Sequence, residues 1–186
     1  MFLVFFSANS YSQAYLEYRN DLKFEDSEFG SGINYLRFGY KFDNNVYFDI
    51  GPRTDGVSAE LGYKYNFLTD WVIKGKWEGS EVDDLNHKLE TELRYSISKL
   101  GGAYLEYKSE VKFRNSNQSN CVDHLRFGYK FDNNVYIEVG PRTDGTSGEL
   151  GYKYKFSDTW SIKGKWEAHD IDRFKHKLET ELRYSF

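Results

Sequence analysis

The residues of this chain with the most chemistry in them are its cations. The 186-residue sequence holds 25 Lys and Arg, and many stand an even number of residues apart: two in Lys74-Gly75-Lys76 and Lys163-Gly164-Lys165, four from Arg19 to Lys23 and from Arg37 to Lys41. Spacing of two puts side chains on one face of an extended strand. A row of ammonium and guanidinium groups on one face binds carboxylates or phosphates, with Arg able to hold a carboxylate through two parallel hydrogen bonds. Other chemistry has little support. His87 and His176 each have a Glu three residues on (Glu90, Glu179), yet no Ser-His-acid or metal-ligand pattern accompanies them. A His at that place, before a strand and beside a loop, reads as an interfacial side chain. Cys121 is the sole cysteine, which excludes an intramolecular disulfide and a thiolate metal site. No catalytic residue, metal or cofactor is expected.

The elements that position these cations are strands, written twice. Ala14–Ile97 and Ala103–Phe186 align without a gap at an offset of 89, with about 52 of 84 positions identical. Each copy contains six segments in which apolar and charged residues alternate, and none with a helical period. In the first, Glu17, Arg19, Asp21 and Lys23 oppose Leu16, Tyr18, Leu22 and Phe24. In the sixth, Lys88, Glu90, Glu92 and Arg94 oppose Leu89, Leu93, Tyr95 and Ile97. Between segments, long polar connections are expected at Glu25–Asn34 and Gly79–Asn86. Tight turns are expected at Asp43-Asn44-Asn45 and Leu68-Thr69-Asp70, with a further short connection at Ser98–Gly102. No run of about 18 apolar residues exists, so no transmembrane helix is expected, although barrel strands carry a weaker signal.

Twelve strands with the same two-faced pattern and no helix leave nothing to cover an inward apolar face. Filling a twelve-stranded lumen with apolar side chains is also implausible, because side chains suffice only to about eight strands. Turning the apolar and aromatic face to lipid removes both difficulties, and closure pairs every backbone group. The expectation is an all-β fold: a 12-stranded antiparallel transmembrane β-barrel built from two tandem six-stranded repeats. Residues 1–12, MFLVFFSANSYS, read as the remnant of a secretory signal peptide. Residues 13–186 then form a single barrel, with repeat one at 14–97, a connector at 98–102 and repeat two at 103–186.

On this assignment the lumen receives Arg19, Lys23, Arg37, Lys41, Arg53, Lys64, Lys74, Lys76, Lys88 and Arg94 from the first copy. From the second it receives Lys108, Lys112, Arg126, Lys130, Arg142, Lys153, Lys163, Lys165, Lys177 and Arg183. About 21 of the 25 cations point inward against about 14 acids, an excess near +7, although the whole chain is at -4. A confined channel focuses such an excess, so anions are the expected solutes. A twofold relation between the halves would set Arg37 opposite Arg126 and Lys74 opposite Lys163, as two basic tracks. Lys74 and Lys76 are expected to have only Glu78 nearby. Tyr47 and Tyr136 are candidates for stacking against a sugar ring.

The chain ends in LRYSF, which resembles the C-terminal assembly signal of bacterial outer-membrane barrels. With twelve strands, a cationic lumen and the opening YLEYRND, it resembles the KdgM-type oligogalacturonate porins and their sialic-acid relative NanC. The first-strand match carries over Arg19, whose counterpart is Lys108. The resemblance implies an outer-membrane channel for passive diffusion of small, anionic solutes such as acidic oligosaccharides. It implies contact with outer-membrane lipids and with the barrel-assembly machinery through Phe186, and no nucleic-acid partner. The alternatives are a barrel plugged by its own ion pairs, with a structural or surface-binding role, and an outer-membrane enzyme.

Overall fold

The computed structural model describes residues 13–26, 28–80, 86–115, 117–169 and 175–186. The segment expected to be a signal peptide lies outside them. Alternating apolar and charged side chains produce β1 (Gln13–Glu25), β2 (Glu28–Lys41), β3 (Val46–Arg53), β4 (Gly56–Leu68), β5 (Trp71–Ser80) and β6 (Asn86–Ser96). A single 3₁₀ turn (Ser98–Leu100) leads to β7 (Ala103–Arg114), β8 (Asn117–Lys130), β9 (Val135–Arg142), β10 (Gly145–Lys155), β11 (Trp160–His169) and β12 (Lys175–Ser185). Each strand pairs antiparallel with the next, and β12 pairs with β1, so the barrel is closed. The β6–β7 junction pairs His87 with Phe113 and Arg94 with Glu106. The β12–β1 seam pairs His176 with Phe24 and Arg183 with Glu17, the same residue types 89 positions apart.

The faces are inverted relative to a soluble domain. Leu36, Phe38 and Leu125 are 45 to 54% exposed on the outer wall, whereas Glu17, Arg37, Glu106 and Arg126 inside are 2 to 3% exposed. An uncovered apolar surface of this extent marks a face made for an apolar environment. Turn chemistry fits the tight ends: Asn45 (φ 64°) and Asn134 (φ 66°) close the Asp-Asn-Asn turns in the left-handed region. In the connector, Gly102 has φ 92°, and a Cβ there would lie 2.2 Å from the Lys130 carbonyl oxygen, so no side chain fits.

One expectation is corrected. The long connection at Glu25–Asn34 is mostly strand: β2 starts at Glu28, with Glu25 opposite Glu28 and Phe24 opposite Phe29 across a register shift. The hairpin continues because unpaired backbone groups gain by laddering, and Phe24 meets Phe29 edge-on at 5.8 Å. The second copy does the same, pairing Arg114 with Asn117.

Candidate functional site: the lumen

Because every strand alternates, every strand sends its charged face into one shared cavity of about 1680 Å³, lined by residues from both ends of the barrel. All 22 side chains expected in the lumen line it, together with Arg114, Lys155 and Lys175, which the sequence reading left out. Those three replace Glu25, Asn66 and Asn86 of the first copy, so strict alternation was the signal that would have found them. In total 23 cations and 15 carboxylates line the cavity, an excess of eight positive charges.

Strand register gathers like charges into bands. Near the tight turns Lys64 faces Lys74 and Lys153 faces Lys163. At mid-height Asp49, Glu60 and Glu78 form a row on β3, β4 and β5, as do Glu138, Glu149 and Glu167 on β9, β10 and β11. Toward the opposite mouth Lys88 faces Lys112 and Lys23 faces Lys177. Like charges directly opposite destabilise a sheet, so each acidic row needs cations from other strands. Arg37 supplies them in one half, at 3.2 Å from Asp49 and 3.3 Å from Glu60. Arg126 does so in the other, at 3.0 Å from Glu138 and 3.2 Å from Glu149. Tyr15 donates to Asp49 at 3.1 Å and Tyr47 to Glu60 at 2.8 Å; Tyr104 and Tyr136 repeat this on Glu138 and Glu149.

Two expectations change here. Lys74 and Lys76 do not have Glu78 alone: β6 lays Glu92 beside Lys74 and Glu90 beside Lys76. Lys74 bonds Glu92, and Lys76 lies 3.7 Å from Glu90 and 3.9 Å from Glu78. Lys163 and Lys165 are likewise paired, with Glu179 at 3.1 and 3.6 Å. Arg37 and Arg126 do not form open tracks either, since each is clamped among its own acids and nearly fully buried. Among the described residues, the lumen cations with no carboxylate within 4.0 Å are Lys23, Lys41, Lys64, Lys112, Lys130 and Lys153, with Arg114 and Lys155. They sit toward the two mouths, leaving a waist in which acids and bases are matched.

The remaining sites follow the same division. Arg19 bonds Asp21 at 2.8 and 2.6 Å, and Lys108 lies 2.8 Å from Glu110. Lys88 lies 3.3 Å from Glu78, and Lys177 lies 3.2 Å from Glu179. Arg94 bonds Glu106, and Arg183 bonds Glu17. Tyr47 and Tyr136 do not stand free: their rings lie against Gly62 and Gly151, where an added Cβ would meet Cζ at 2.4 and 2.1 Å. Tyr35 is flanked by the guanidinium carbons of Arg19 and Arg37, each 4.6 Å from its ring centre. At the hairpin tips, Arg53 bonds Asp55 and holds its carboxyl below the usual range. Partial burial pushes Asp144 up, and its bond from Arg142 more than offsets that. Cys121 is exposed on β8, and among the described residues no cluster of His, Cys, Asp and Glu could hold a metal ion.

A closed antiparallel barrel of twelve strands with an apolar outside and a charged lumen defines the fold class: a small twelve-stranded β-barrel. Among solved structures, the chain has the fold of the KdgM and NanC porins. It is similar to a KdgM porin in complex with disordered oligogalacturonate at 13% identity and a TM-score of 0.64, over 92% of this chain and 99% of that one. It is similar to the NanC porin at 10% identity and 0.55, over 91% and 98%. A CymD monoaromatic hydrocarbon channel follows at 8% identity and 0.51, over 93% and 88%. No family model and no curated protein matches the sequence.

Proposed function

We propose that the protein is a bacterial outer-membrane channel for passive diffusion of small anionic solutes, acidic oligosaccharides among them. One observation carries this reading: the apolar face is outside and a cavity with eight surplus positive charges is inside. The outer wall would contact membrane lipid, and Phe186, paired to the Ala14 carbonyl at 3.1 Å beside the seam, would be read by the barrel-assembly machinery. The matched registers of the β6–β7 junction and the β12–β1 seam support one barrel whose two walls are copies related by a twofold along its axis. Twelve spanning strands leave the unpaired lysines at the pore mouths, where a focused field attracts carboxylates. The fold shared with a KdgM porin solved with oligogalacturonate supports this class of solute. No enzymatic role is proposed.

A second reading has its own observation. The ion-paired waist favours a barrel that its side chains close, with a structural or surface-binding role. Planar-bilayer recording separates the two. The channel reading expects discrete conductance steps and a reversal potential showing anion preference under a salt gradient. A folded barrel without conductance overturns it and leaves the closed barrel.

A further inference from the structure

The two walls are copies in sequence, but their waists are wired differently. Arg94, on the last strand of the first repeat, reaches into the second: its Nη2 lies 3.2 Å from Glu138 Oε1, linking β6 to β9 across two intervening strands. Arg126 Nη2 reaches Glu167 Oε1 at 3.6 Å, linking β8 to β11 in the same way. With Arg126 on Glu138 at 3.0 Å, these contacts form an unbroken chain of charges from β6 to β11. The counterparts 89 residues away are Arg183 with Asp49, and Arg37 with Glu78. Neither pair comes within 4.0 Å among the described residues; Arg37 instead ties to Glu17, Asp49 and Glu60 on β1, β3 and β4.

Two differences between the copies account for this. Asp49 is one methylene shorter than Glu138; both carboxylates hold the equivalent Arg and Tyr, Arg37 and Tyr15 against Arg126 and Tyr104, and only the longer one also meets the Arg of the neighbouring repeat. Tyr35 stands where the second copy has His124. The Tyr35 ring stacks on the Arg37 guanidinium, whose Nη2 has no hydrogen-bond partner. His124 Nδ1 instead lies 3.2 Å from Arg126 Nη2, the nitrogen that also reaches Glu167 on β11.

The geometry points to a lopsided waist: the passage runs along the first-repeat wall, and the extra methylene of Glu138 sets its width. Straps across the lumen take cross-section from one side only, while on the other side the clamped charges hug their own wall. A strap of this kind changes the open area and not the net charge, so width and selectivity are separable here.

The width assignment rests on the channel reading; the straps do not. The straps are tested by double-mutant cycles on the folded full chain in detergent, read as shifts in urea midpoint. One cycle combines Arg94→Lys with Glu138→Gln, the other Arg183→Lys with Asp49→Asn. Non-additivity is expected in the first and additivity in the second; equal coupling in both overturns the asymmetry. The width is tested with two charge-conserving variants, checked for folding by heat-modifiable gel migration. Glu138→Asp should raise single-channel conductance and Asp49→Glu should lower it, with the reversal potential unchanged in both. Conductance insensitive to both variants, or a shifted reversal potential, overturns the role of Glu138. A wild-type barrel without conductance sinks the channel reading and the width assignment together, and the cycles still decide the straps.

Discussion

Arg37 and Arg126 are the residues on which the lumen depends most, because each is a single guanidinium holding two carboxylates of an acidic row. Removing one partner of a buried pair leaves uncompensated charge, typically at a cost of about 3–5 kcal/mol. Arg37→Met should therefore lower the urea midpoint strongly, and Arg37→Lys should recover part of it. The free lysines behave oppositely. Lys64 and Lys153 face Lys74 and Lys163 and pair with no carboxylate among the described residues. Lys64→Gln with Lys153→Gln should leave the midpoint within about 0.5 kcal/mol and move the reversal potential toward cations. An unchanged reversal potential in that double variant would mean that the mouth lysines do not select. That a residue is a clamp or a free charge was not legible in the sequence, since it depends on which strand arrives alongside. Lys74, expected to have only Glu78 nearby, meets Glu92 because β6 arrives alongside.

At the scale of elements, alternation made the twelve strands legible because Glu17, Arg19 and Asp21 contrast so plainly with Leu16, Tyr18 and Leu22. Gly30-Ser31-Gly32 carries no such contrast, so the strand start at Glu28 was hidden there; backbone pairing decided it. The β2–β3 ladder shows a different constraint. Its pairs skip from Tyr35–Arg53 to Phe38–Ile50, around Pro52, which has no N–H to donate. The backbones close up at that point, and a Cβ on Gly51 would lie 1.9 Å from the Leu36 carbonyl oxygen, as would one on Gly140 from Leu125. A Cβ on Gly164 meets nothing within 4 Å. Gly51→Ala and Gly140→Ala should sharply reduce the fraction of heat-modifiable barrel on refolding, and Gly164→Ala should not. The hairpin tip between β3 and β4 adds a pH dependence. Asp55 is held below its ordinary pKa by Arg53, so its bond stabilises the tip above about pH 3.9 and is lost as pH falls through the lowered value. An NMR titration of Asp55 should show the depressed midpoint, and Arg53→Gln should return it to the ordinary range.

For the molecule as a whole, the closing seam is a second version of the middle junction. Leu89 opposite Val111 and Glu92 opposite Lys108 on β6–β7 recur as Leu178 opposite Leu22 and Glu181 opposite Arg19 on β12–β1. The internal repeat made two six-stranded walls legible in the sequence. It could not say whether the walls close on each other, because that rests on long-range pairing between the first and last strands. If the seam is equivalent to the junction, the position of the chain ends is arbitrary. A permuted chain that begins at Ala103, joins Phe186 to Ala14 through a copy of Ser98–Gly102 and ends at Ile97 would keep all twelve strand pairings. Strand neighbours in sequence would remain neighbours in the barrel, and only the break would move from β12–β1 to β6–β7. The permuted protein should refold in detergent to a heat-modifiable band and give the wild-type β-sheet circular-dichroism signal. If it refolds only to a non-shifting, aggregated species, the two junctions are not interchangeable and the natural seam carries information beyond its register. Phe186 is where to look for it, since its ring lies 6.4 Å from that of Phe38 and 5.7 Å from that of Tyr184. Ile97 has no aromatic ring with which to make those contacts in the permuted chain. Replacing Ile97 by Phe in the permuted chain should then restore folding.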